Sequence, residues 1–502
     1  MSRLTGPAPS AAATRPPGGA ERRRWAAVAV VSVCVLVPFM DITMIGIDLT
    51  KITRELSITW VGAQWAVGGY LLVCGVCMLV VPAVGGRWGY RRTLAAGFTL
   101  FGVGAVVAAW APGAGVFIAA RVAMGVGAAV VLPAWVSIIS AMFPPESRKR
   151  AFAAGAAFVS ATTPFGPIIG GALLDRAWYG SLFVLDAVIV ALVVPFVLWL
   201  TPETRAGGGR RPDLIGIGLA ACAATALFAA FAGARPGWQL MACLAAVVAA
   251  LAAFVRRQRT AVDPLIDLVV LRRPGFIWSQ LTISSVNFAW TGLLFLLPVY
   301  LQVVRGASAL MVALLLVPLA AMASVASLVT ERVTRRLGVR WTVICGLLVF
   351  AVGLALFSLV VDRPGYALFV AALALVGLGA GLPQAPALVA ALGALPERSA
   401  ANGPGVVNAL RHIGGALGVA VGGLAVATIF TNGLAGSGAA AAHASVVDLA
   451  AGATGSLAAA AFTEGVATSL RGGAVLLAAL AVLAMLLPER PTRQRDDTTS
   501  GR

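Results

Sequence analysis

The stretch Ala151–Leu174, AFAAGAAFVSATTPFGPIIGGALL, decides the fold expected of this chain. It is an apolar run long enough to cross a bilayer as one helix. Its second half contains Gly166, Pro167, Gly170 and Gly171. Glycines four residues apart leave a groove that lets a neighbouring helix approach closely, and Pro167 removes a backbone donor and bends the helix. The pattern is typical of a membrane helix that packs tightly against its neighbours.

The whole composition agrees with a membrane protein. Of 502 residues, 60% are hydrophobic and 11% are charged, and the mean hydropathy is +0.94. A soluble protein does not have this composition, and repeated runs of about 20 apolar residues predict an all-α, polytopic membrane protein. We expect about fourteen spans, near residues 25–47, 59–81, 93–110, 115–140, 151–173, 180–200, 214–233, 238–255, 276–300, 307–330, 341–361, 365–390, 404–430 and 467–487.

The positions of the basic residues predict the orientation of these spans. With both termini in the cytoplasm, 28 of the 37 lysines and arginines fall in cytoplasmic segments and six in external loops. This asymmetry follows the positive-inside rule. It also accounts for the net charge of +18, so a nucleic-acid partner is not expected.

Two similar basic segments indicate an internal repeat. Gly85–Arg92 follows the second span and Glu331–Arg340 follows the tenth. Parallel repeats around a central site are an architecture of transporters. The expected organisation is a disordered cytoplasmic tail (1–24), an N-terminal six-helix bundle (25–200), a two-helix insert (201–274), a C-terminal six-helix bundle (275–487) and a second cytoplasmic tail (488–502).

Six motifs occur along the chain in a characteristic order: Met40–Thr43, Pro82–Leu94, Arg121–Gly127, Gly166–Gly171, Leu297–Gln302 and Asn408–Gly418. Together they resemble the fourteen-span drug:proton antiporters of the major facilitator superfamily. The resemblance covers about residues 25–487. It implies a secondary transporter of the plasma (inner) membrane that exports small amphipathic drugs or antibiotics in exchange for protons. It implies alternating access, no cofactor besides the proton gradient, and a monomer.

One motif departs from the family pattern. The loop after the second span keeps Arg87, Gly89, Arg91 and Arg92, but Gly86 stands where the family usually has an acid. In the family that acid caps a helix and pairs across the cytoplasmic gate. Its absence leaves the gate contact in doubt.

Asp41 is the first candidate for proton coupling, because an acid inside a span is costly and usually functional. Arg121 lies in the same half of the membrane and can pair with it. The arginine charge favours the carboxylate and loss of water favours the neutral acid, so helix movement could load and release a proton. The alternative is a fixed ion pair that holds two helices together. Asp48 and Asp186 are possible accessory acids, or simply packed or solvated residues.

Two polar stripes are candidates for a substrate cavity. Residues spaced by three or four lie on one face of a helix, and amides beside aromatic rings suit flat, amphipathic molecules. Helix–helix hydrogen bonding is the alternative. The second span contributes Trp60 and Gln64, and the ninth contributes Gln280, Ser284, Asn287, Trp290 and Thr291.

The sequence favours a transporter over an enzyme. It contains no recognisable metal cluster, nucleophilic triad or phosphate-binding loop, so neither an enzyme nor an ATP-driven pump is expected. Two alternatives stay open on the same fold. One is a dedicated exporter of a single endogenous metabolite or antibiotic, and the other is a membrane sensor that does not transport.

Overall fold

The computed structural model describes residues 18–162, 165–205, 213–233, 237–261, 265, 268–363, 365–395, 403–435 and 456–486. These residues form α-helices, one short 3-10 turn at Val270–Arg272 and connecting loops, with no strand among them. The α-helices are α1 (Gly18–Glu55), α2 (Trp60–Met78), α3 (Val81–Trp88), α4 (Tyr90–Ala109), α5 (Ala114–Met142), α6 (Pro145–Thr162), α7 (Phe165–Leu174), α8 (Gly180–Leu200), α9 (Leu214–Phe231), α10 (Gly237–Thr260), α11 (Pro274–Val303), α12 (Ala309–Val360), α13 (Ala367–Gly393), α14 (Gly403–Ala435) and α15 (Ser456–Leu486).

The number of membrane spans agrees with the sequence. Thirteen helical segments are long and apolar enough to cross a bilayer, with α6 and α7 together forming one of them. Helix α12 is 52 residues long and is interrupted at Gly338, whose backbone is not helical. It therefore provides two spans, and the total is the predicted fourteen.

Several helices are longer than the apolar runs that predicted them. Helix α1 covers Gly18–Glu55 instead of 25–47, so residues 18–24 of the expected disordered tail are helical. Helix α15 begins at Ser456, eleven residues before the predicted 467. The polar start of α1 finds a partner, because Arg23 donates to the Trp199 carbonyl, whereas the start of α15 packs in the core through Ala458 and Phe462. The remaining tail residues 1–17 and 488–502, and residues 436–455, lie outside the described residues.

The helices form two bundles with an insert between them in the chain. Helices α1, α2 and α4–α8 pack in the N-terminal bundle and α11–α15 in the C-terminal one, while α9 and α10 pack on each other. Close approaches at glycine build both bundles. A Cβ at Gly127 of α5 would lie 2.7 Å from the Phe101 nitrogen of α4, and one at Gly353 of α12 would lie 2.8 Å from the Val376 nitrogen of α13. Only glycine permits such contacts.

The predicted repeat is visible in the backbone. Gly89, before α4, has φ 95°, and Gly338, inside α12, has φ 81°; both values favour glycine. Thr93 donates its hydroxyl hydrogen to the Gly89 carbonyl at 2.7 Å, and Thr342 does the same to the Gly338 carbonyl at 2.8 Å. The two basic loops therefore have matching conformations.

The two ends of the molecule differ in charge. We call the end with the Gly89 and Gly338 loops the basic end, and the end where α1 finishes at Glu55 the opposite end. The start of α1 and the finish of α8 meet at the basic end, where Arg23 donates to the Trp199 carbonyl at 2.7 Å. Helices α2 and α14 pair the two bundles along their length, and α7 and α1 contact α12 and α11.

Candidate functional site

A buried ion pair lies inside the N-terminal bundle. Asp41 on α1 and Arg121 on α5 are 3% and 0% exposed. The Arg121 Nη1 donates to both carboxyl oxygens of Asp41, at 2.7 and 2.8 Å, and its Nε donates to the Ala66 carbonyl at 3.3 Å. The predicted pairing is present. Removing one partner of such a pair costs about 3–5 kcal/mol, because the other charge stays buried without compensation.

Aromatic rings enclose this pair. The Arg121 guanidinium lies 4.5 Å from the centroid of the Tyr70 ring and 5.8 Å from that of Phe183. The Tyr70 hydroxyl and Arg121 Nη2 are buried and have no hydrogen-bond partner among the described residues. Asp186 on α8 is 4% exposed and lies within electrostatic range of both Asp41 and Arg121. The site therefore contains two acids and one arginine in apolar surroundings. Its Tyr70 hydroxyl and one arginine N–H group are free to accept or donate further hydrogen bonds.

Asp48 is a second buried acid on α1. It is 0% exposed, and neither carboxyl oxygen has a hydrogen-bond partner among the described residues. The alternative of a solvated acid at the helix end is wrong. Helix α1 runs to Glu55, so Asp48 lies about two turns inside the helix instead of at its end.

A small cavity lies between the bundles, next to the ion pair. Its volume is about 30 Å³, enough for about two water molecules. Ten of its twelve lining residues come from α1, α2 and α5 and carry no formal charge, among them Phe39, Tyr70 and Cys74. Tyr70 connects the two features, because its ring faces Arg121 and also lines the cavity.

The other two lining residues are Arg411 and His412, from α14 in the C-terminal bundle. Both are half-buried. The structure places both in the cavity wall. Their motif, Asn408–Gly418, was visible in the sequence, but the face they occupy was not.

The predicted cavity residues of α2 lie elsewhere. The Trp60 Nε1 donates to the Gly423 carbonyl of α14 at 2.9 Å, and its ring centroid lies 5.1 Å from that of Phe295. Gln64 is 0% exposed, and a Cβ at Gly423 would collide with its side chain. Both residues pack α2 against the C-terminal bundle, and neither lines the cavity described above.

The polar stripe of α11 also serves helix packing. Gln280 donates to the Val407 carbonyl at 3.4 Å and Ser284 donates to the Leu410 carbonyl at 3.1 Å, both on α14. The remaining members of the stripe do not line the cavity either: Asn287 donates to its own helix at Ile283, Thr291 lies against Gly415, and Trp290 packs on the apolar core. Periodicity correctly placed the residues on one face, but that face meets α14.

The glycine motif of α7 packs at the opposite end. Pro167 is buried, and a Cβ at Gly170 would lie 3.0 Å from Met44 of α1. A Cβ at Gly171 would lie 2.7 Å from the Ala309 carbonyl of α12. A Cβ at Gly166 would likewise lie 3.1 Å from the Met40 side chain of α1. The expected close packing of this helix is present, and it involves both bundles.

Hydrogen bonds also join the bundles at the opposite end. Asp175, just after α7, accepts hydrogen bonds from the Ala309 and Leu310 nitrogens at the start of α12, at 3.0 and 3.4 Å. Gln302 on α11 donates to the Ile47 carbonyl of α1 at 2.6 Å. We call these contacts the latch of the opposite end.

At the basic end, Glu203 contacts the loop in which Gly86 stands where the family usually has an acid. Its Oε1 accepts from the Arg91 nitrogen at the start of α4, at 3.2 Å. Its Oε2 lies 3.5 Å from Arg91 Nε and 3.4 Å from Arg92 Nε. Glu203 follows α8, so the contact stays within the N-terminal bundle. Arg87 is exposed, and Gly89 lies directly against Glu203. Sequence reasoning missed Glu203 because it lies 112 residues from Arg91.

Two helical bundles with a cavity between them, and with a buried ion pair inside one bundle, are an architecture of membrane transporters. A solved structure with this fold is a bacterial homologue of the human lysosomal transporter Spinster, in an inward-facing and occupied conformation. Its TM-score is 0.65 at 19% identity, covering 91% of this chain and 96% of that one. This likeness concerns the fold alone.

The sequence comparisons identify the family. The model of the Major Facilitator Superfamily matches residues 31–419. The chain is 31% identical over 388 residues to multidrug resistance protein Stp of Mycobacterium tuberculosis, covering 76% of this chain and 72% of Stp. It is 28% identical over 437 residues to the tetracenomycin C resistance and export protein of Streptomyces glaucescens, covering 85% and 80%. The chain belongs to the Major Facilitator Superfamily, and it is a multi-pass membrane transporter.

Proposed function

We propose that this protein exports small amphipathic drugs or antibiotics across the plasma membrane in exchange for protons, by alternating access. The relatives described above are named for drug resistance and export, which supports the direction and the class of cargo. The basic end carries most of the arginines, so we place it, with both termini, in the cytoplasm.

The observation that supports proton coupling best is the position of the Asp41–Arg121 pair. It is buried, and the Tyr70 ring that faces Arg121 also lines the cavity. A proton that binds an Asp41 carboxyl oxygen removes the negative partner, while Arg121 keeps its charge. The balance that holds α1 to α5 then changes. Proton binding and helix movement are thereby linked at one carboxyl group.

The contacts between the bundles support alternating access. The latch and the α7 glycine packing close the opposite end, and the cavity of about 30 Å³ is far smaller than the roughly 300–1,000 Å³ of pockets that hold drug-sized ligands. Cargo binding therefore requires the bundles to separate around the cavity. Release at the opposite end requires the hydrogen bonds of Asp175 and Gln302 to break.

Dye transport in everted membrane vesicles tests the proposal. Ethidium, a cation, and carboxyfluorescein, an anion, cover both charge types. We expect the parent protein to move at least one of these dyes against its gradient when a proton gradient is imposed. The Asp41→Asn variant leaves Arg121 without its charge partner, so it should be less stable than the parent but still insert. It should lose this uphill movement, because its side chain cannot bind a proton.

Asp213→Asn is the matched control. Asp213 is also a buried acid next to an arginine, with its Oδ1 3.0 Å from Arg257 Nε, but it holds α9 to α10. The control should keep uphill transport. Equal uphill transport by the Asp41→Asn variant and the parent would remove Asp41 from coupling and leave the ion pair a structural one.

A second candidate is a dedicated exporter of one antibiotic or metabolite. It is favoured by the relative whose name refers to a single compound, tetracenomycin C. Resistance profiles in a drug-hypersensitive host separate the two functions. Resistance to several unrelated compounds supports the broad exporter, and resistance to one compound supports the dedicated exporter.

A further inference from the structure

The two walls of the cavity differ in charge. The ten lining residues from the N-terminal bundle include no acid and no base. The two from the C-terminal bundle, Arg411 and His412, include a side chain with a permanent positive charge. The cavity therefore carries a cation on one side and apolar and aromatic surface on the other.

No acid of the described residues neutralises Arg411. Asp41 is already bonded to Arg121 through both carboxyl oxygens. Asp186 interacts with that same pair. Cys74 of α2, which also lines the cavity, is a neutral residue and not an acid partner. Among the described residues, the Arg411 guanidinium makes no ion pair, although it has five N–H donors.

The packing of α2 on α14 fixes this arrangement. A Cβ at Gly75 would lie 2.9 Å from the Ala409 carbonyl and 3.1 Å from the His412 Cβ. Because the two backbones approach so closely, α14 holds Arg411 in the cavity wall instead of at the membrane surface. An arginine that served only to anchor α14 at the interface would extend out of the bundle.

The chemistry of the walls indicates what this site would bind. An unpaired cation in apolar surroundings is costly unless a partner of opposite charge arrives. A guanidinium suits a carboxylate or another planar oxyanion, to which it can donate two parallel hydrogen bonds. Phe39, which is 39% exposed, and Tyr70 offer ring surface to an apolar body.

We propose that Arg411, assisted by His412, is the subsite for an acidic group of the cargo, and that the cargo class is amphipathic organic anions with an aromatic or apolar body. This inference rests on the proposed export function and narrows its substrates.

A pair of dyes with the same ring system and opposite charge tests the inference. Carboxyfluorescein is an anion and rhodamine 123 is a cation, and both are built on xanthene. Binding to the purified full-length protein in nanodiscs, followed by fluorescence anisotropy without a gradient, should favour carboxyfluorescein by at least about tenfold in Kd, about the effect of one charge-assisted contact.

Variants locate the preference. Arg411→Gln should weaken carboxyfluorescein binding by about tenfold and leave rhodamine 123 binding unchanged or stronger, whereas Arg411→Lys should retain part of the preference. Arg471→Gln is the matched control, because Arg471 pairs with exposed Glu464 away from the cavity. Unchanged rhodamine 123 binding also shows that the Arg411→Gln protein is folded.

Three outcomes would overturn the inference: equal or tighter binding of rhodamine 123 by the parent, no binding of either dye, or a preference that survives in Arg411→Gln. Failure of the proposed export function gives a different result. Carboxyfluorescein would then still bind preferentially to the nanodisc protein, but neither ethidium nor carboxyfluorescein would move uphill in vesicles.

Discussion

The two bundles carry their buried charges in opposite ways. In the N-terminal bundle, Arg121 is bonded to Asp41 at 2.7 Å and further enclosed by Tyr70. In the C-terminal bundle, Arg411 faces the cavity without an acid partner among the described residues. When an acid and an arginine are paired inside the protein, protonation of the acid breaks the pair and can change the structure. An arginine without an acid partner is available to an anionic ligand. On our two proposals, this difference divides proton coupling and cargo binding between the bundles.

The largest expected effect is on stability, and it distinguishes the two arginines. Arg121→Gln leaves Asp41 alone in an apolar site and should destabilise the protein by about 3–5 kcal/mol. Arg411→Gln removes a charge that has no acid partner among the described residues, so it should not destabilise the protein. Thermal unfolding of the purified proteins, followed by size-exclusion chromatography, measures both.

A double variant completes this test. Asp41→Asn combined with Arg121→Gln removes both charges, so it should recover much of the stability lost in Arg121→Gln. If Arg121→Gln and Arg411→Gln destabilised the protein equally, the contrast between paired and unpaired arginine would be wrong.

An intermediate effect is expected at the opposite end, where the bundles meet. Asp175→Ala removes the acceptor of the Ala309 and Leu310 N–H groups at the start of α12, and losing such an acceptor at a helix start costs about 0.5–2 kcal/mol. The latch should open more often, so spin labels at positions 176 and 363 should show a larger population at long distance. Asp175→Asn keeps an acceptor and should have a smaller effect. An unchanged distance distribution in Asp175→Ala would show that the latch does not hold this end closed.

The smallest effect is expected at the basic end. The Glu203 side chain, which pairs with Arg91 and Arg92, is 20% exposed. Partly exposed ion pairs contribute about 0–1 kcal/mol to stability. Glu203→Gln should therefore slow dye transport by no more than about fivefold. Glu146→Gln, at an exposed acid in the first turn of α6, should have no effect. Equal rates for the parent and Glu203→Gln would show that Glu203 does not replace the missing loop acid in function.

The sequence predicted what apolar patterning and motifs determine locally. The fourteen spans, the helix break near Gly338 and the meeting of Asp41 with Arg121 all follow from run length, repeated loops and acids placed inside spans. Helix ends were less accurate, as α1 and α15 show, because a helix extends as far as its end finds tertiary contacts, which hydropathy does not report.

Contacts between distant segments were not predictable in this way. The stripe from Gln280 to Thr291 was assigned to one face correctly, but periodicity cannot say whether that face meets a cavity or α14. Glu203 and Arg411 were missed for a related reason. Their importance depends on which helix lies opposite, and a single sequence does not contain that information.

Proton counterflow in proteoliposomes tests the central claim most directly. A gradient of whichever dye the parent exports is imposed without a pH gradient, and the pH of a lightly buffered medium is followed. The parent should move protons opposite to the dye, and Asp41→Asn should carry dye downhill with no proton movement. Proton counterflow of the same size in Asp41→Asn would contradict the account.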